Sequence, residues 1–305
     1  MPLLVYVTLS ASILLMGCGD NTQKQDMSSV VSQGSSIIAS ELVGQATDSS
    51  AHWIAPTLLV LPKSNKEVSY QLIKTGINTE EGGLDTVMLS KTIFPAHLAK
   101  KFPHLVDFQA YNVDLSASKA KAWIKQPLLV VALNRDHQPQ KFSLVQIGAV
   151  IDALYTQGDN DADEVTDLGA TIIDQGVSFK LWAPTAQTVS VQLFDDNLQA
   201  ISAGNLDMIE DTNTGVWQVL SDNQASYAYY KYQLNVYHPA SKKIESLSVT
   251  DPYSLSLSIN SEYSQVVDLN DAVTQPKNWL SQPIPTVKNV EDNVFYETHI
   301  RDFSA

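Results

Sequence analysis

Val177-Ser-Phe-Lys-Leu-Trp-Ala-Pro-Thr-Ala186 is the stretch from which the fold of this chain can be read. Every second side chain is apolar at Val177, Phe179 and Leu181, and polar side chains lie between them. This period of two is typical of a β-strand with one buried face. Pro184 ends the run, since proline has no backbone N–H to donate to a neighbouring strand. The stretch therefore predicts a strand of an antiparallel sheet.

The same alternation recurs downstream, in Val189, Val191 and Leu193 and again in Tyr230, Tyr232, Leu234 and Val236. Short strands at roughly ten-residue intervals, joined by turns rich in Asn, Asp and Gly, are typical of a β-sandwich. We expect Trp182 and Tyr230 in its core. Because the chain has one cysteine, packing alone must hold the two sheets together.

The preceding part of the chain is also rich in strand patterns. Residues 57–61, 68–73 and 126–133 read as strands, the last of them buried. Residues 114–124 predict a short helix in which Asp114 or Ser116 accepts hydrogen bonds from the first free N–H groups. These patterns predict a mainly β domain with short helical pieces.

The N-terminus has the form of a bacterial lipoprotein signal. Residues 2–18 carry no charge, and Leu14-Leu-Met-Gly-Cys18 places small and apolar residues before the only cysteine. An uncleaved membrane anchor is the alternative. The absence of Lys or Arg before the apolar core departs from the usual signal pattern. We expect lipidation at Cys18 and membrane attachment through that lipid. The expected location is the cell envelope, at the outer membrane or cell surface, or the outside of the cell after secretion.

Composition limits the partners. The net charge of −14 argues against nucleic acid and against an anionic membrane surface, and favours a neutral ligand. The six histidines are scattered without metal-ligand spacing, so no metal site is predicted. Asp159, Asp161 and Asp163 alternate as in an EF-hand, but that motif requires Gly at its sixth position and Glu at its twelfth. Glu164 and Ala170 stand there, which favours a solvated acidic linker.

Several short segments of the sequence resemble those of pullulanases, enzymes of glycoside hydrolase family 13 that carry a sandwich module before a catalytic barrel. The resemblance lies in residues 177–191, in Tyr230-Lys-Tyr232, in Val249-Thr-Asp-Pro-Tyr-Ser254 and in Phe295-Tyr-Glu-Thr-His-Ile-Arg-Asp-Phe-Ser304. Ala51-His-Trp53 and Gln146-Ile-Gly-Ala-Val-Ile-Asp152 resemble the domain that precedes this module in bacterial lipoprotein pullulanases.

The resemblance implies a mainly β fold with two immunoglobulin-like β-sandwich-type domains, followed by only the first strand of a (β/α)8 barrel. The predicted order is a signal at 1–18, a flexible linker at 19–50, a β-rich domain at 51–156, an acidic linker at 157–167, a carbohydrate-binding-module-like sandwich at 168–275, a linker at 276–293 and the start of the barrel at 294–305.

The implied activity is hydrolysis of α-1,6 linkages in pullulan, starch or glycogen. A retaining glycosidase needs two carboxylates about 5 Å apart, and in this family they lie on later barrel strands. We therefore expect no catalytic residue in these 305 residues and no activity of this polypeptide alone. Glu297, His299 and Arg301 share one face of the predicted barrel strand and are expected to support the barrel core or the rim of the active site, not to catalyse the reaction. Calcium is possible in the full-length enzyme but is assigned to no residue here.

Glucans are held by aromatic rings that stack on sugar faces. Tyr229, Trp217 and Tyr237 are the predicted carbohydrate-binding residues, with burial in the sandwich core as the alternative for each. The alternative function is a complete surface lipoprotein that binds glucan without cleaving it.

Overall fold

The structure is a computed structural model that describes residues 41–76, 85–222, 225–299 and 302. The predicted signal at 1–18, with Cys18, lies outside the described residues, as does most of the predicted linker. The chain divides into two compact units, one reaching to Leu154 and including Pro239–Lys243, the other formed by Tyr155–His238 and Ile244 onward. Among the described helices, none has the length and apolar character needed to cross a membrane.

The first unit is a closed seven-stranded barrel with the strand order β1-β2-β5-β4-β3-β6-β7. Antiparallel pairs make up the barrel except where β1 and β7 pair in parallel and close it. Its strands are β1 (Asp48–Ala55), β2 (Leu58–Leu61), β3 (Ser69–Lys74), β4 (Asp85–Thr92), β5 (Gln109–Asn112), β6 (Leu128–Leu133) and β7 (Pro139–Gln146). The mainly β prediction is confirmed. The sandwich-type arrangement expected for this domain is not what forms, because the pairing of β1 with β7 closes a single sheet into a barrel.

Side chains of the barrel alternate between its interior and two apolar clusters outside it. One outer cluster joins β1, β2 and β5 to α1 (Ala96–Lys101) and the turn at Pro103–Leu105. The other packs the chain around Leu42 and Val43 against β3, β6 and β7. Helix α2 (Ala117–Trp123) begins as predicted, because the Ser116 side chain accepts a hydrogen bond from the Lys119 N–H at 3.3 Å. Helix α3 (Gly148–Tyr155) follows β7.

The second unit is an immunoglobulin-like sandwich of two antiparallel sheets, as predicted. One sheet has the order β12-β13-β9-β8, and the other has the order β11-β10-β14-β17-β16 with β15 also paired to β14. The strands are β8 (Gly169–Ile173), β9 (Gly176–Trp182), β10 (Ala186–Phe194), β11 (Ala200–Asp207), β12 (Ile209–Asp211), β13 (Val216–Ser221), β14 (Tyr229–His238), β15 (Lys243–Val249), β16 (Ser256–Leu257) and β17 (Ser264–Gln265).

The sandwich core follows the alternation in the sequence. Val177, Phe179 and Leu181 of β9 face the apolar side chains of β10, and all are buried. Tyr230 of β14 is buried as predicted and contacts Phe179 edge-on, with 5.1 Å between ring centroids. The prediction that Trp182 is a core residue was wrong. Trp182 follows Leu181, so it points to the opposite face of β9, where it is half-buried and its indole donates to the Thr214 carbonyl.

A buried carboxylate accepts hydrogen bonds from β14 and from a following turn at one end of the sandwich. Asp251 is 4% exposed, and its Oδ2 accepts hydrogen bonds from the Tyr230 hydroxyl at 2.8 Å and the Tyr232 hydroxyl at 3.2 Å. Its Oδ1 accepts from the Tyr253 N–H at 2.7 Å. Burial, and next the charge of Asp251, raise the pKa of both core tyrosines far above the usual range. Both hydroxyls therefore remain hydrogen-bond donors.

After the sandwich, the chain continues through short 3₁₀ turns with exposed side chains. Residues 294–299 pair with no described strand, and Val294, Phe295 and Tyr296 are at least 75% exposed. Residues 300 and 301 lie outside the described part. The barrel strand at this place stays a prediction.

Candidate functional site

The outer face of the sheet formed by β10 and β14 carries the candidate site. Because Val189, Val191 and Leu193 point into the core, their neighbours on β10 point outward. The register places Thr188 opposite Asn235, Ser190 opposite Gln233, Gln192 opposite Lys231 and Phe194 opposite Tyr229. We call this set the β10–β14 face. It runs from amide and hydroxyl groups at one end to aromatic rings at the other.

The polar end of the β10–β14 face is a ladder of hydrogen-bonded side chains. Asn235 donates to the Thr188 hydroxyl at 2.9 Å and accepts from the Ser246 hydroxyl at 2.6 Å. Gln233 donates to the Ser248 hydroxyl at 3.0 Å. These bonds fix the amides on the sheet surface. A shallow groove of about 210 Å³ runs along the ladder.

The aromatic end is built around Tyr263, which lies between the short strands β16 and β17. Its ring contacts Phe194 edge-on at 4.8 Å between centroids. The Lys231 ammonium lies 4.5 Å from the centroid of the same ring, within the range of a cation–π contact. Tyr229 occupies the neighbouring position, opposite Phe194 and Gln265. The side chains of Tyr229 and Tyr263 are partly exposed.

Of the three predicted carbohydrate-binding residues, only Tyr229 lies within this cluster. Tyr237 is near the end of β14, and its hydroxyl is buried without a hydrogen-bond partner among the described residues. Burial raises the pKa of that hydroxyl. Trp217 is 8% exposed and belongs to the sandwich core, where its indole donates to the Ala183 carbonyl at 3.0 Å. A ring packed in this way offers no face to a sugar, so the structure does not support Trp217 as a platform.

Sequence reasoning did not single out Phe194, Tyr263 or the amide ladder. The period of two places Lys231, Gln233 and Asn235 outside the core, but it does not tell a binding surface from an ordinary solvated face. Tyr263 lies in an irregular stretch between two strands of two residues each. No periodic pattern marks it.

The chemistry of the β10–β14 face is that of binding. Amides and hydroxyls can exchange hydrogen bonds with a polyhydroxylated ligand, and aromatic rings can cover its apolar faces. Asp207 is the only carboxylate among the residues that line the groove, whereas retaining glycoside hydrolysis needs two.

The predicted acidic linker is structured in part. Asp161, Asp163 and Glu164 hold ligand atoms within 4.8 Å of one another, a spacing that a metal ion could use. Instead, Asp161 caps the 3₁₀ turn at Ala162–Glu164, with Glu164 accepting from the Asp161 N–H at 2.9 Å. A hydrogen bond between Asp161 and Asp163 lowers the pKa of the first carboxyl and raises that of the second. These bonds account for the cluster, and Asp161 is buried, not solvated.

Comparison with protein families gives two matches. Residues 48–153 match the Pullulanase N2 domain, and residues 167–254 match carbohydrate-binding module 48, the isoamylase N-terminal domain. The residues of β10 and β14 that form the β10–β14 face lie within the second match, and Tyr263 lies nine residues beyond its end.

Similar proteins extend far beyond the matched region. A pullulanase of Klebsiella pneumoniae is 32% identical over 265 residues, which are 84% of this chain and 24% of that protein. The chloroplastic pullulanase 1 of Arabidopsis thaliana is 29% identical over 268 residues, which are 84% of this chain and 27% of that protein. This chain therefore spans about a quarter of the length of the curated relatives that it matches.

Solved structures give the same result. The maltotriose complex of PulA from Klebsiella pneumoniae superposes with a TM-score of 0.67 at 32% identity, covering 76% of this chain and 25% of that one. PulA from Klebsiella oxytoca superposes with a TM-score of 0.68 at 32% identity, covering 76% and 22% of the two chains.

Proposed function

The chain is homologous to the N-terminal domains of pullulanases, and from this premise we propose that it is the accessory region of an enzyme that hydrolyses α-1,6 linkages in α-glucans. Its own role is to bind the glucan through the β10–β14 face. The observation that carries the proposal is that the aromatic rings around Tyr263 lie next to the hydrogen-bonded amides of Gln233 and Asn235 on the same sheet face. The strands of that face belong to a domain that matches a carbohydrate-binding module.

The ladder has hydrogen-bonding capacity left for a ligand. A side-chain amide offers two N–H donors and two acceptor lone pairs. Asn235 uses one donor and one lone pair in the ladder, which leaves one of each. Gln233 uses one donor. Neighbouring sugar hydroxyls can therefore bind without disrupting the sheet, while Tyr229 and Tyr263 cover sugar faces at the other end.

The net charge agrees with this ligand class. A chain of net charge −14 repels polyanions but not a neutral polysaccharide. Family similarity favours an accessory region of a pullulanase over the alternative of a free-standing glucan-binding lipoprotein.

Affinity electrophoresis tests the binding proposal. In native gels containing amylopectin or pullulan, we expect the purified chain to be retarded. The Asn235→Ala/Tyr263→Ala variant should migrate as it does without glucan. Tyr296→Ala is the matched control, because that ring is 88% exposed but lies outside the β10–β14 face. Equal retardation of all three proteins would remove the β10–β14 face from the proposal.

We also propose that these 305 residues do not catalyse hydrolysis by themselves. The support is chemical, since the groove of the β10–β14 face is lined by a single carboxylate. The purified polypeptide should release no maltotriose from pullulan in a reducing-sugar assay. Turnover that co-purifies with the chain and is lost from a carboxylate variant would contradict this.

Lipid attachment at Cys18 and a location in the cell envelope remain proposals supported by residues 14–18. Metabolic labelling with palmitate tests them, with Cys18→Ser as the variant. Label should appear in the unmodified chain and be absent from the variant. Equal labelling of both, or of neither, would contradict lipidation at this cysteine.

A further inference from the structure

One mouth of the barrel in the first unit opens into a cavity of about 580 Å³. The side chains that line its wall belong to the barrel interior, as the alternation along β2, β3, β6 and β7 requires. Elsewhere the interior is filled by large side chains such as Trp53, Leu59 and Leu72, which are fully buried. At this mouth the corresponding positions carry small side chains, including Ala132 and Ser143. The lumen therefore stays open at this end.

The wall of the cavity is mostly apolar. Leu61 of β2 and Val130 and Ala132 of β6 contribute aliphatic surface from two strands. Tyr70 adds the edge of a ring, which is held against Tyr111 at 5.2 Å between centroids. The volume lies in the range of small-molecule sites. Closed barrels of similar size are known to hold one small ligand in this position.

The rim of the cavity is cationic. Lys63 and Lys66 lie on the exposed loop between β2 and β3, and neither pairs with a carboxylate in the part of the chain that the structure describes. Glu67 on the same loop is neutralised by Arg135. This leaves two ammonium groups above the mouth, in a chain whose net charge is −14.

A carboxylate beside the cavity, that of Asp48, is already paired with side chains that line it. Asp48 pairs with Lys141 at 2.6 Å and accepts hydrogen bonds from Ser50 and Ser143. Burial opposes ionisation of Asp48, but the bonds from Lys141 and Ser143 outweigh it and hold its pKa far below the usual range. The Asp48–Lys141 pair is thus neutral as a unit, and Lys63 and Lys66 set the charge of the mouth.

We propose that this cavity binds a small amphiphile with an anionic head and an alkyl tail, of the class of free medium-chain fatty acids. The tail would lie along the aliphatic wall, and the carboxylate would lie between Lys63 and Lys66. A neutral glucan fits the site less well, because it would leave both ammonium groups unused and would find aliphatic surface where sugars need aromatic faces. This site is independent of the glucan-binding proposal.

Isothermal titration of the full chain with octanoate, decanoate and dodecanoate below their micelle-forming concentrations tests the proposal. Each pair of added methylene groups should tighten binding roughly tenfold until the cavity is filled. Decanol should bind more weakly than decanoate, and the affinity for decanoate should fall as salt is raised, because the head-group contacts are exposed. The absence of heat with decanoate up to millimolar concentration would overturn the proposal.

Two variants locate the site. Lys63→Gln/Lys66→Gln should weaken decanoate binding about fivefold, since exposed ion pairs are worth up to about a factor of five each. Lys288→Gln, a charge removal on the exposed segment after the sandwich, is the matched control and should leave the affinity unchanged. Ala132→Leu fills the lumen and should abolish binding. If that variant proves unfolded by circular dichroism, the lysine variant and the chain-length series still decide the question.

Two other ligands would produce different results. Maltotriose that binds and is displaced by decanoate would identify the cavity as a sugar site and overturn the proposal. Binding to anionic phospholipid vesicles without binding to free decanoate would indicate a membrane surface contact instead of a lumen site, and would overturn it as well.

Discussion

Removal of the Asp251 carboxylate is the sharpest test of how the sandwich is held together. Asp251→Ala removes the acceptor of two buried donors, the hydroxyls of Tyr230 and Tyr232, and of the partly buried Tyr253 N–H. Each such group costs about 1–3 kcal/mol. Relief from burying a charge offsets part of that sum, and breaking a buried charged network typically costs about 3–5 kcal/mol. We expect Asp251→Ala to lower the free energy of unfolding of the second unit by about 4 kcal/mol.

The double-mutant cycle with Tyr230→Phe separates the network from general damage. Tyr230→Phe alone removes one donor and leaves the carboxylate with two partners, so we expect a loss of about 1.5 kcal/mol. Because both changes remove the same hydrogen bond, the double variant should be about 1–2 kcal/mol more stable than the sum of the single losses predicts.

Urea unfolding followed by tryptophan fluorescence provides the measurement. Asp196→Ala is the matched control, since Asp196 lies on an exposed turn of the same unit, and its effect should stay within about 0.5 kcal/mol. An Asp251→Ala protein within 1 kcal/mol of the parent, or additive effects in the cycle, would refute the reasoning.

Three further predictions concern a glycine in the backbone of the second unit, the stability of the first unit in acid, and the exposed segment after the sandwich. Gly176→Ala should destabilise the second unit by about 3 kcal/mol, because φ is +143° and the new Cβ would lie 1.9 Å from a carbonyl oxygen of β13. Thermal unfolding is the assay, and Gly148→Ala, which has open space around it, is the control that should be tolerated. Equal melting temperatures of the two variants would contradict the prediction. The lowered pKa of Asp48 means that its stabilisation is present above the unfolded pKa of about 3.9 and is lost as pH falls toward the folded value. The free energy of unfolding of the first unit should therefore fall less steeply with decreasing pH in Asp48→Asn than in the parent chain. An unchanged slope would count against the ion pair. Limited trypsin or Glu-C digestion should cut fastest between Pro283 and Glu291, where side chains are exposed; resistance there would mean that the segment is docked.

Local patterns in the sequence predicted much of the sandwich. The apolar side chains of β9, β10 and β14 are buried as their alternation requires, and Ser116 caps α2 because its hydroxyl reaches a free N–H. Trp182 is the exception, because it follows the inward-facing Leu181 by one residue and therefore points to the opposite face of β9.

Features that depend on distant pairing were not predictable in the same way. The barrel closes because β1 pairs with β7 about ninety residues later in the chain, and no local signal records that pairing. Asp251 precedes Pro252, and such a pair in the sequence is typical of a turn. It does begin a turn, but its buried role depends on two tyrosines of β14 that only the folded sheet brings near.

The candidate site was predictable only in part. Strand alternation placed Tyr229 on an outer face, but Tyr263 reaches the cluster from an irregular segment. Trp217 looked like a platform beside a glycine turn, whereas its pairing opposite Leu181 turns it into the core. Successive residues of a strand point to opposite faces, so a shift of one residue decides whether a ring is exposed to a ligand or buried in the core.

The dissociation constant for maltoheptaose, measured by isothermal titration on the parent chain and on Asn235→Ala/Tyr263→Ala, tests the central claim most directly. Loss of one stacked ring and one amide should weaken binding by about tenfold or more, with Tyr296→Ala unchanged. Equal affinity of the parent and the double variant, or no binding by the parent chain, would contradict glucan recognition through the β10–β14 face.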